Sequence, residues 1–301
     1  MRLLTRSDFD GLACAVLLKQ AGIITSRKFV HPKDMQDGII EVNENDVIAN
    51  VPYVPGCGLW FDHHVSEAYR GSLDYEFEGA SEPEKSCARV IYNYYGGAEK
   101  FPNLGEFVAA VDKADSADFT IDEILNPTGW TLLSFIMDPR TGLGRFKDYR
   151  ISNYQLMDDL IEYCQTMTID EIMAVPDIQE RIVRYNEQVE LFKQMLLDSS
   201  TTYNNVLITD TRNVEVIFAG NRFIPYALFP KQNVSIWITP GKLGNTVFAV
   251  GYSIINKSCN HDIGKLMLEH GGGGHHKVGT CQVPNEIAEE TLEKIKAALA
   301  G

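Results

Sequence analysis

Apolar residues come in two rhythms along this chain. Residues 2–5 form a short apolar run that stops at an Asp-rich turn, Ser7-Asp8-Phe9-Asp10. Gly11 to Lys19 then has helical character and ends near Gly22. A strand, a polar loop and a helix in this order place the loop at the carboxyl end of a strand, where open α/β sheets bind their ligands. Lys28 to His31, Val47 to Val51 and Leu59 to Phe61 are further short strand candidates, so Asp62-His63-His64 falls at the end of another strand. Ser81-Glu82-Pro83-Glu84 has the capping-box pattern with Pro in the first turn. It predicts a helix through about Tyr95, stopped by Gly96-Gly97. Phe107 to Val111 reads as a buried helix running into Asp112-Lys113-Ala114-Asp115. From about Ile151 to Leu197 the pattern is mostly helical, with a second capping box at Thr168 and Glu171 and an interruption at Pro176.

After residues 198–202 the period changes. Val206 to Thr209, Val214 to Ala219, Val234 to Thr239 and Thr246 to Ser253 are β-branched or aromatic runs separated by turn residues. Asp262 to Glu269 looks helical. Pro284 to Ala300 predicts an amphipathic helix burying Ile287, Leu292, Ile295 and Leu299. These changes divide the chain into a first domain over 1–175, a helical linker over 176–202 and a second domain over 203–301.

Composition narrows the classes. The chain has 301 residues, 45% of them apolar, and a formal net charge of −14. That length suits two domains. So acidic a protein lacks the basic footprint that duplex nucleic acid requires. It does not exclude an anionic substrate, because bound cations invert the local field. The six cysteines show no C-x-x-C spacing, which points to a reducing compartment rather than a disulfide scaffold. The start, Met-Arg-Leu-Leu-Thr-Arg-Ser-Asp, reaches charge too soon for a secretory signal, and no apolar run spans a membrane. A soluble cytoplasmic protein with no membrane partner is the expectation.

Three segments carry chemistry. Asp8 and Asp10 are two apart, and on an extended backbone both carboxylates share a face. Asp62-His63-His64 adds a carboxylate and two imidazoles, ligand types that hold divalent metals. Gly271 to Gly274, followed by His275 and His276, offers bare backbone that suits a phosphate nest. Four of the seven histidines lie in the two His-His pairs.

The order D-x-D-G, D-H-H, G-G-G-G-H resembles the DHH phosphoesterase superfamily with its DHH-associated C-terminal domain, over nearly the whole chain. The branch looks like the exopolyphosphatase-related and short-oligonucleotide phosphodiesterase group. The resemblance implies an α/β protein: a parallel-sheet N-terminal domain holding Mn²⁺, a smaller mixed α/β C-terminal domain, and an active site in the interdomain cleft. It implies Asp8, Asp10, Asn50 and His63 around the metals, completed by Asp112 or Asp115, with Asp62 and His64 as the catalytic pair. Gly273, Gly274, His275 and His276 would grip the substrate phosphate. Lys257 stands in a region where the family often offers Arg.

Two departures from the family pattern meet at one place. Leu4 and Arg6 occupy positions where a His is usual, and Asn50 stands where a bridging Asp is usual. On one strand face Arg6 reaches toward Asp8. The expectation is therefore one tightly held Mn²⁺, a second that is weaker or absent, and Arg6 supplying charge near the phosphate, with Mg²⁺ as the alternative ion. The implied activity is metal-dependent hydrolysis of short phosphodiesters or phosphoanhydrides: dinucleotides, oligoribonucleotide ends or polyphosphate. The implied partners are a small phosphorylated substrate or a short single-stranded oligonucleotide, and a homodimer is compatible. The alternative is a non-catalytic nucleotide- or phosphate-binding protein derived from such enzymes.

Overall fold

Leu3, Leu4 and Thr5 are all fully buried, so the first strand, β1 (Arg2–Thr5), lies inside a sheet covered on both faces. The computed structural model describes residues 1–69 and 71–300, which fall into two units. One comprises residues 1–118 and 127–183. The other comprises 119–126 and everything from 184 onward.

In the first unit β1 is followed by α1 (Phe9–Gln20), β2 (Ser26–Phe29), α2 (Pro32–Gln36), β3 (Asp46–Ala49), β4 (Leu59–Asp62), α3 (Ser66–Tyr69) and β5 (Gly79–Ser81). Then come α4 (Cys87–Tyr94) and α5 (Gly105–Asp115). After α6 (Ile121–Leu125), which belongs to the second unit, the chain returns with α7 (Gly129–Met137), α8 (Asn153–Thr166), α9 (Ile169–Met173) and the first part of α10 (Pro176–Ser199). The sheet order is β2-β1-β3-β4-β5 and every pairing is parallel. Leu4, Ile48 and Trp60 are register partners across it, and Val30, Met35 and Val51 pack with them. α1 is buried around its whole circumference from Phe9 to Leu18 because α4, α5 and α8 all pack on it. Phe9 meets Phe107 of α5 edge-on, with ring centroids 5.7 Å apart.

The second unit continues α10 into β6 (Ser200–Tyr203), β7 (Val206–Asp210), α11 (Ile224–Leu228), β8 (Val234–Pro240) and β9 (Asn245–Tyr252). It closes with α12 (Ile263–Glu269), β10 (Gly273–His275), β11 (Val278–Pro284) and α13 (Ala288–Leu299). Its sheet is mixed, in the order β10-β11-β9-β8-β7-β6, with only β7 and β8 parallel. Val234, Ile236 and Ile238 alternate inward on β8, as do Phe248 and Val250 on β9. Ile263 and Met267 of α12 and Leu292, Ile295 and Leu299 of α13 complete this core.

Five local expectations are corrected. Ser81 does not cap a helix: it pairs with Asp62 in β5, and the Glu82 N–H goes to the Asp62 carbonyl at 3.1 Å. Ser86 caps α4 instead, its Oγ accepting from the Arg89 N–H at 3.0 Å. Residues 214–219 form no strand; the nearby Ala219 N–H bonds the Gln188 side chain, and the parallel neighbour of β7 is β8. β6 begins inside the stretch expected to be a helical linker over 176–202, because an exposed edge strand shows no apolar alternation. Ile287 is 45% exposed, since it precedes α13 rather than lying on its buried face. Asp8 and Asp10 do not share an extended segment: Asp8 is the extended N-cap of α1, and Asp10 lies in the helix's first turn. Among the described residues no helix is long and apolar enough to cross a membrane.

The turn into α1 tolerates no side chain at Gly11. A methyl there would stand 2.0 Å from the Arg6 carbonyl oxygen and 2.9 Å from Thr5 Oγ1. Gly11→Ala is expected to lower unfolding free energy by about 1–3 kcal/mol through overpacking. Urea unfolding measures this, and a change within about 0.5 kcal/mol would mean the turn relaxes freely.

Candidate active site

Three strand ends and two helices meet at the carboxyl edge of the first sheet. β1 leads into the turn that places Asp8 and Asp10. Asn50 follows β3, and its φ of 57° is left-handed, a conformation that Asn tolerates better than most residues. β4 ends at Asp62 and delivers His63 and His64.

Asp10 is 2% exposed. Its two oxygens accept from the backbone N–H groups of Cys87 (3.0 Å) and Ala88 (2.8 Å), the first residues of α4. A helix N-terminus favours such an anion. Even so, burial first, then the nearby Asp115 and Asp8 carboxylates, hold the Asp10 carboxyl well above the ordinary range. Cys14 and Cys87 flank it, but burial keeps both thiols protonated, that of Cys87 pushed up to about 12, so neither offers a thiolate.

His63 faces this group. Its Nδ1 lies 3.1 Å from the Glu84 carbonyl oxygen. A carbonyl only accepts, so Nδ1 carries the proton and Nε2 presents a lone pair. That Nε2 is buried with no hydrogen bond, 3.3 Å from Asp115 Oδ2 and 3.8 Å from Asp10 Oδ2. A lone pair facing two carboxylates is repulsive unless a cation lies among them. The three donor atoms fall within 4.8 Å of one another, a span suited to one small divalent ion. Asp115, from the C-terminal end of α5, has a side chain 34% exposed and forms the open side. Removal from water holds its carboxyl above the usual range, with His63 opposing and Asp8 adding.

His64 Nδ1 lies 2.8 Å from Asp62 Oδ1, and the Asp62 carboxylate is buried. Partial burial works to lower the His64 pKa. The Asp62 hydrogen bond and charge outweigh it, and the net direction is upward. The ring is 39% exposed, which leaves Nε2 for a ligand.

Arg6 Nε pairs with Asp8 Oδ2 at 3.0 Å, as its position suggested, and Asn50 Nδ2 lies 3.2 Å from Asp8 Oδ1. The Gly11 N–H also bonds Oδ1 at 2.9 Å. Asp8 thus has a protein partner on each oxygen, while Asn50 Oδ1 is buried without one. Asp112 is turned away from the cluster. Ser86 Oγ bonds its Oδ1 at 2.7 Å, and Arg89 Nε and Nη2 bond its Oδ2 at 2.9 and 2.6 Å. Its place is to brace the α4 N-terminus that holds Asp10. Sequence reasoning missed Ser86, Arg89 and the two backbone donors, although Ser86 ahead of an apolar helix was a readable cap.

The remaining predicted residues lie in the second unit. Gly273 and Gly274 do not form a nest: both have ordinary φ and pair with Thr280 and Gly279 in the β10–β11 hairpin. Side chains at Gly272 and Gly274 would strike Thr280 and Val278 carbonyl oxygens at 2.0 and 2.3 Å, whereas one at Gly273 would meet nothing within 4 Å. His275 is exposed on β10. His276 Nδ1 is 3.6 Å from Asp262 Oδ2, and Lys257 lies in the segment between β9 and α12.

No protein-family model matches the chain, and no curated protein matches it. Among solved structures it is similar to PggH, described as a pGpG-specific phosphodiesterase, from Vibrio cholerae. The identity is 46%, covering 100% of this chain and 99% of that one, with a TM-score of 0.89. An exopolyphosphatase-related protein from Bacteroides fragilis shares the fold at 13% identity and TM-score 0.50, over 100% of this chain and 93% of that one. The chain belongs to the DHH phosphoesterase superfamily. It is a hydrolase of phosphate esters, and the non-catalytic alternative is not favoured.

His63→Ala is expected to abolish tight binding of a divalent ion at this group, read by calorimetry with Mn²⁺ as the probe. In the unsubstituted protein, protons compete for Asp10 and Asp115, whose carboxyls sit above the ordinary value of about 4. Divalent-ion affinity should therefore fall as pH is lowered, starting at a higher pH than for ordinary carboxylate ligands, with proton release on binding. A pH-independent isotherm would place the ion elsewhere.

Proposed function

We propose that the protein is a Mn²⁺-dependent phosphodiesterase acting on short 5′-phosphorylated oligonucleotides, with pGpG as its reference substrate. The observation that carries this reading is the orphaned His63 Nε2 between two carboxylates, in a chain 46% identical to a pGpG-specific phosphodiesterase.

Asp10, His63 and Asp115 would hold the ion. The chemistry it supplies is Lewis acidity and activation of water at neutral pH. The protein's own contribution is placement. The α4 N-terminus fixes Asp10, and the Glu84 carbonyl fixes the His63 tautomer. Asp62 orients His64 and favours its protonated form, so that Nε2–H donates to a phosphoryl oxygen as charge grows there. Arg6, held on Asp8, keeps a permanent positive charge where the family pattern places another metal. Asn50 supports the same reading, since a neutral side chain suits a place without that ion. Gly273, Gly274, His275, His276 and Lys257 contribute to gripping the substrate, the bare backbone of Gly273 allowing a close anion.

Purified protein with Mn²⁺ should be assayed against pGpG, pApA, short RNA, 3′,5′-bisphosphorylated adenosine, pyrophosphate and polyphosphate. The dinucleotides are expected to be cleaved fastest, and EDTA to stop cleavage. Faster hydrolysis of polyphosphate would overturn the assignment. Calorimetry should give about one tight Mn²⁺ per chain. The paired change Arg6→His with Asn50→Asp should raise this toward about two. Two equally tight sites in the unsubstituted protein would remove the role given to Arg6.

Gly273→Val separates binding from folding, because its added side chain starts from open space within its own unit. It is expected to raise KM strongly while Mn²⁺ affinity and Tm hold. An unchanged KM would take the hairpin out of the substrate site.

A further inference from the structure

Arg6 has more donors than Asp8 uses. Its Nε pairs with Asp8 Oδ2 at 3.0 Å, and among the described residues its guanidinium has no other ion pair or hydrogen bond. The side chain is 36% exposed. A guanidinium holds its donors in one rigid plane, so a partner on the Nε side fixes that plane and leaves the Nη1–Nη2 edge pointing away from it. The chain carries 41 Asp and Glu against 27 Lys and Arg, yet among the described residues no second acidic side chain closes this edge.

The position of Arg6 on the sheet gives the open edge a meaning. Arg6 directly follows β1, Asn50 follows β3, and His63 and His64 follow β4. The strand order is β2-β1-β3-β4-β5. The carboxyl edge therefore carries a guanidinium on its β1 side and the His64 imidazole on its β4 side, at strand ends two spacings, or about 10 Å, apart. Each is backed by its own carboxylate, Arg6 by Asp8 at 3.0 Å and His64 by Asp62 at 2.8 Å. Both act on the same space, since the field of Arg6 reaches His64 and Asp115.

Two backed donors so placed suit a ligand with two phosphates one nucleotide apart. Those phosphates differ. An internal diester carries a single negative charge, whereas a terminal monoester carries about −1.5 to −2 near pH 7 and has three free oxygens. A planar fork grips such a group through two parallel N–H···O bonds, and its charge is permanent. In the scheme above the diester belongs to His64 and to the Asp10, His63 and Asp115 group. We propose that Arg6 reads the phosphorylated end of the substrate, Nη1 and Nη2 gripping the 5′-terminal phosphate while the neighbouring diester lies at His64. This rests on the dinucleotide phosphodiesterase reading and names the feature that the site selects, a 5′-monophosphate one nucleotide from the bond cleaved. A substrate with a 5′-hydroxyl leaves the fork unfilled.

The test sets pGpG against GpG, which lacks only the terminal phosphate. Steady-state kinetics with Mn²⁺ gives the ratio of kcat/KM for the two dinucleotides, and calorimetry in EDTA gives the ratio of their affinities without turnover. The unsubstituted protein should favour pGpG by about tenfold to a hundredfold, the scale of hydrogen bonds to a charged group. Arg6→Gln should bring both ratios close to unity. Arg6→Lys keeps a charge beside Asp8 but loses the fork, so it should retain only part of the preference. If thermal unfolding shows Arg6→Gln to be misfolded, Arg6→Lys decides the outcome. Equal use of pGpG and GpG by the unsubstituted protein, or a preference that survives both variants, overturns the assignment. So does an equal loss on both dinucleotides, which would put Arg6 at the scissile diester or leave it holding Asp8 alone. Arg6-dependent preference for pGpG in EDTA, without cleavage of either dinucleotide by the Mn²⁺-loaded protein, supports the phosphate site and overturns the phosphodiesterase reading instead.

Discussion

The buried carboxylate of Asp10 is the constraint around which the first unit is organised. A charge withdrawn from water must be matched by donors or by a cation. α4 provides two backbone N–H groups, yet burial and the Asp115 and Asp8 carboxylates still push Asp10 toward its protonated form. The protein therefore keeps an unresolved electrostatic demand at the sheet edge, and the bare Nε2 of His63 is aimed at the same spot. Functional sites are where such demands are left standing.

The residues one layer out make sense as supports for that arrangement. α4 can serve Asp10 only if its first turn stays in place. Ser86 caps that turn, and Asp112 holds Ser86 through Oδ1 and Arg89 through Oδ2. The Glu84 carbonyl, just upstream of the same helix, sets the His63 tautomer. The start of α4 and the residue shortly before it thus position two of the three candidate metal donors, each through main-chain atoms. Such atoms cannot be altered by simple side-chain substitution, so the orientation is tied to the fold itself.

Much of this was legible in the sequence, and the failures have physical causes. D-x-D-G and D-H-H each follow an apolar run, and the strand-end rule alone places them on one edge. Arg6 beside Asp8 was readable from spacing. Asp112 and Asp115 were not separable, because residues three apart share a helix face. Only Ser86 and Arg89, arriving from another helix, decide between them. Ser81 and Ser86 competed as caps, and the winner was set by the pairing of Ser81 with Asp62 across β4 and β5, a long-range contact that a local pattern does not contain. The glycine run was misjudged as a nest because a tight antiparallel hairpin makes the same demand for missing side chains.

The placement of Asp10, His63 and Asp115 has a mechanical consequence. An ion gripped by all three ties together positions that lie far apart in the chain and closes two loops of about fifty residues each, as a pair of covalent staples would. A tie that exists only in the native state draws the equilibrium toward that state in proportion to ion supply. The parallel sheet threaded by those loops consists of non-local pairings, the slowest kind to assemble. Availability of the ion would then govern not only turnover but how long an individual molecule survives heat and proteases. A cell short of the metal would lose the enzyme as well as its activity.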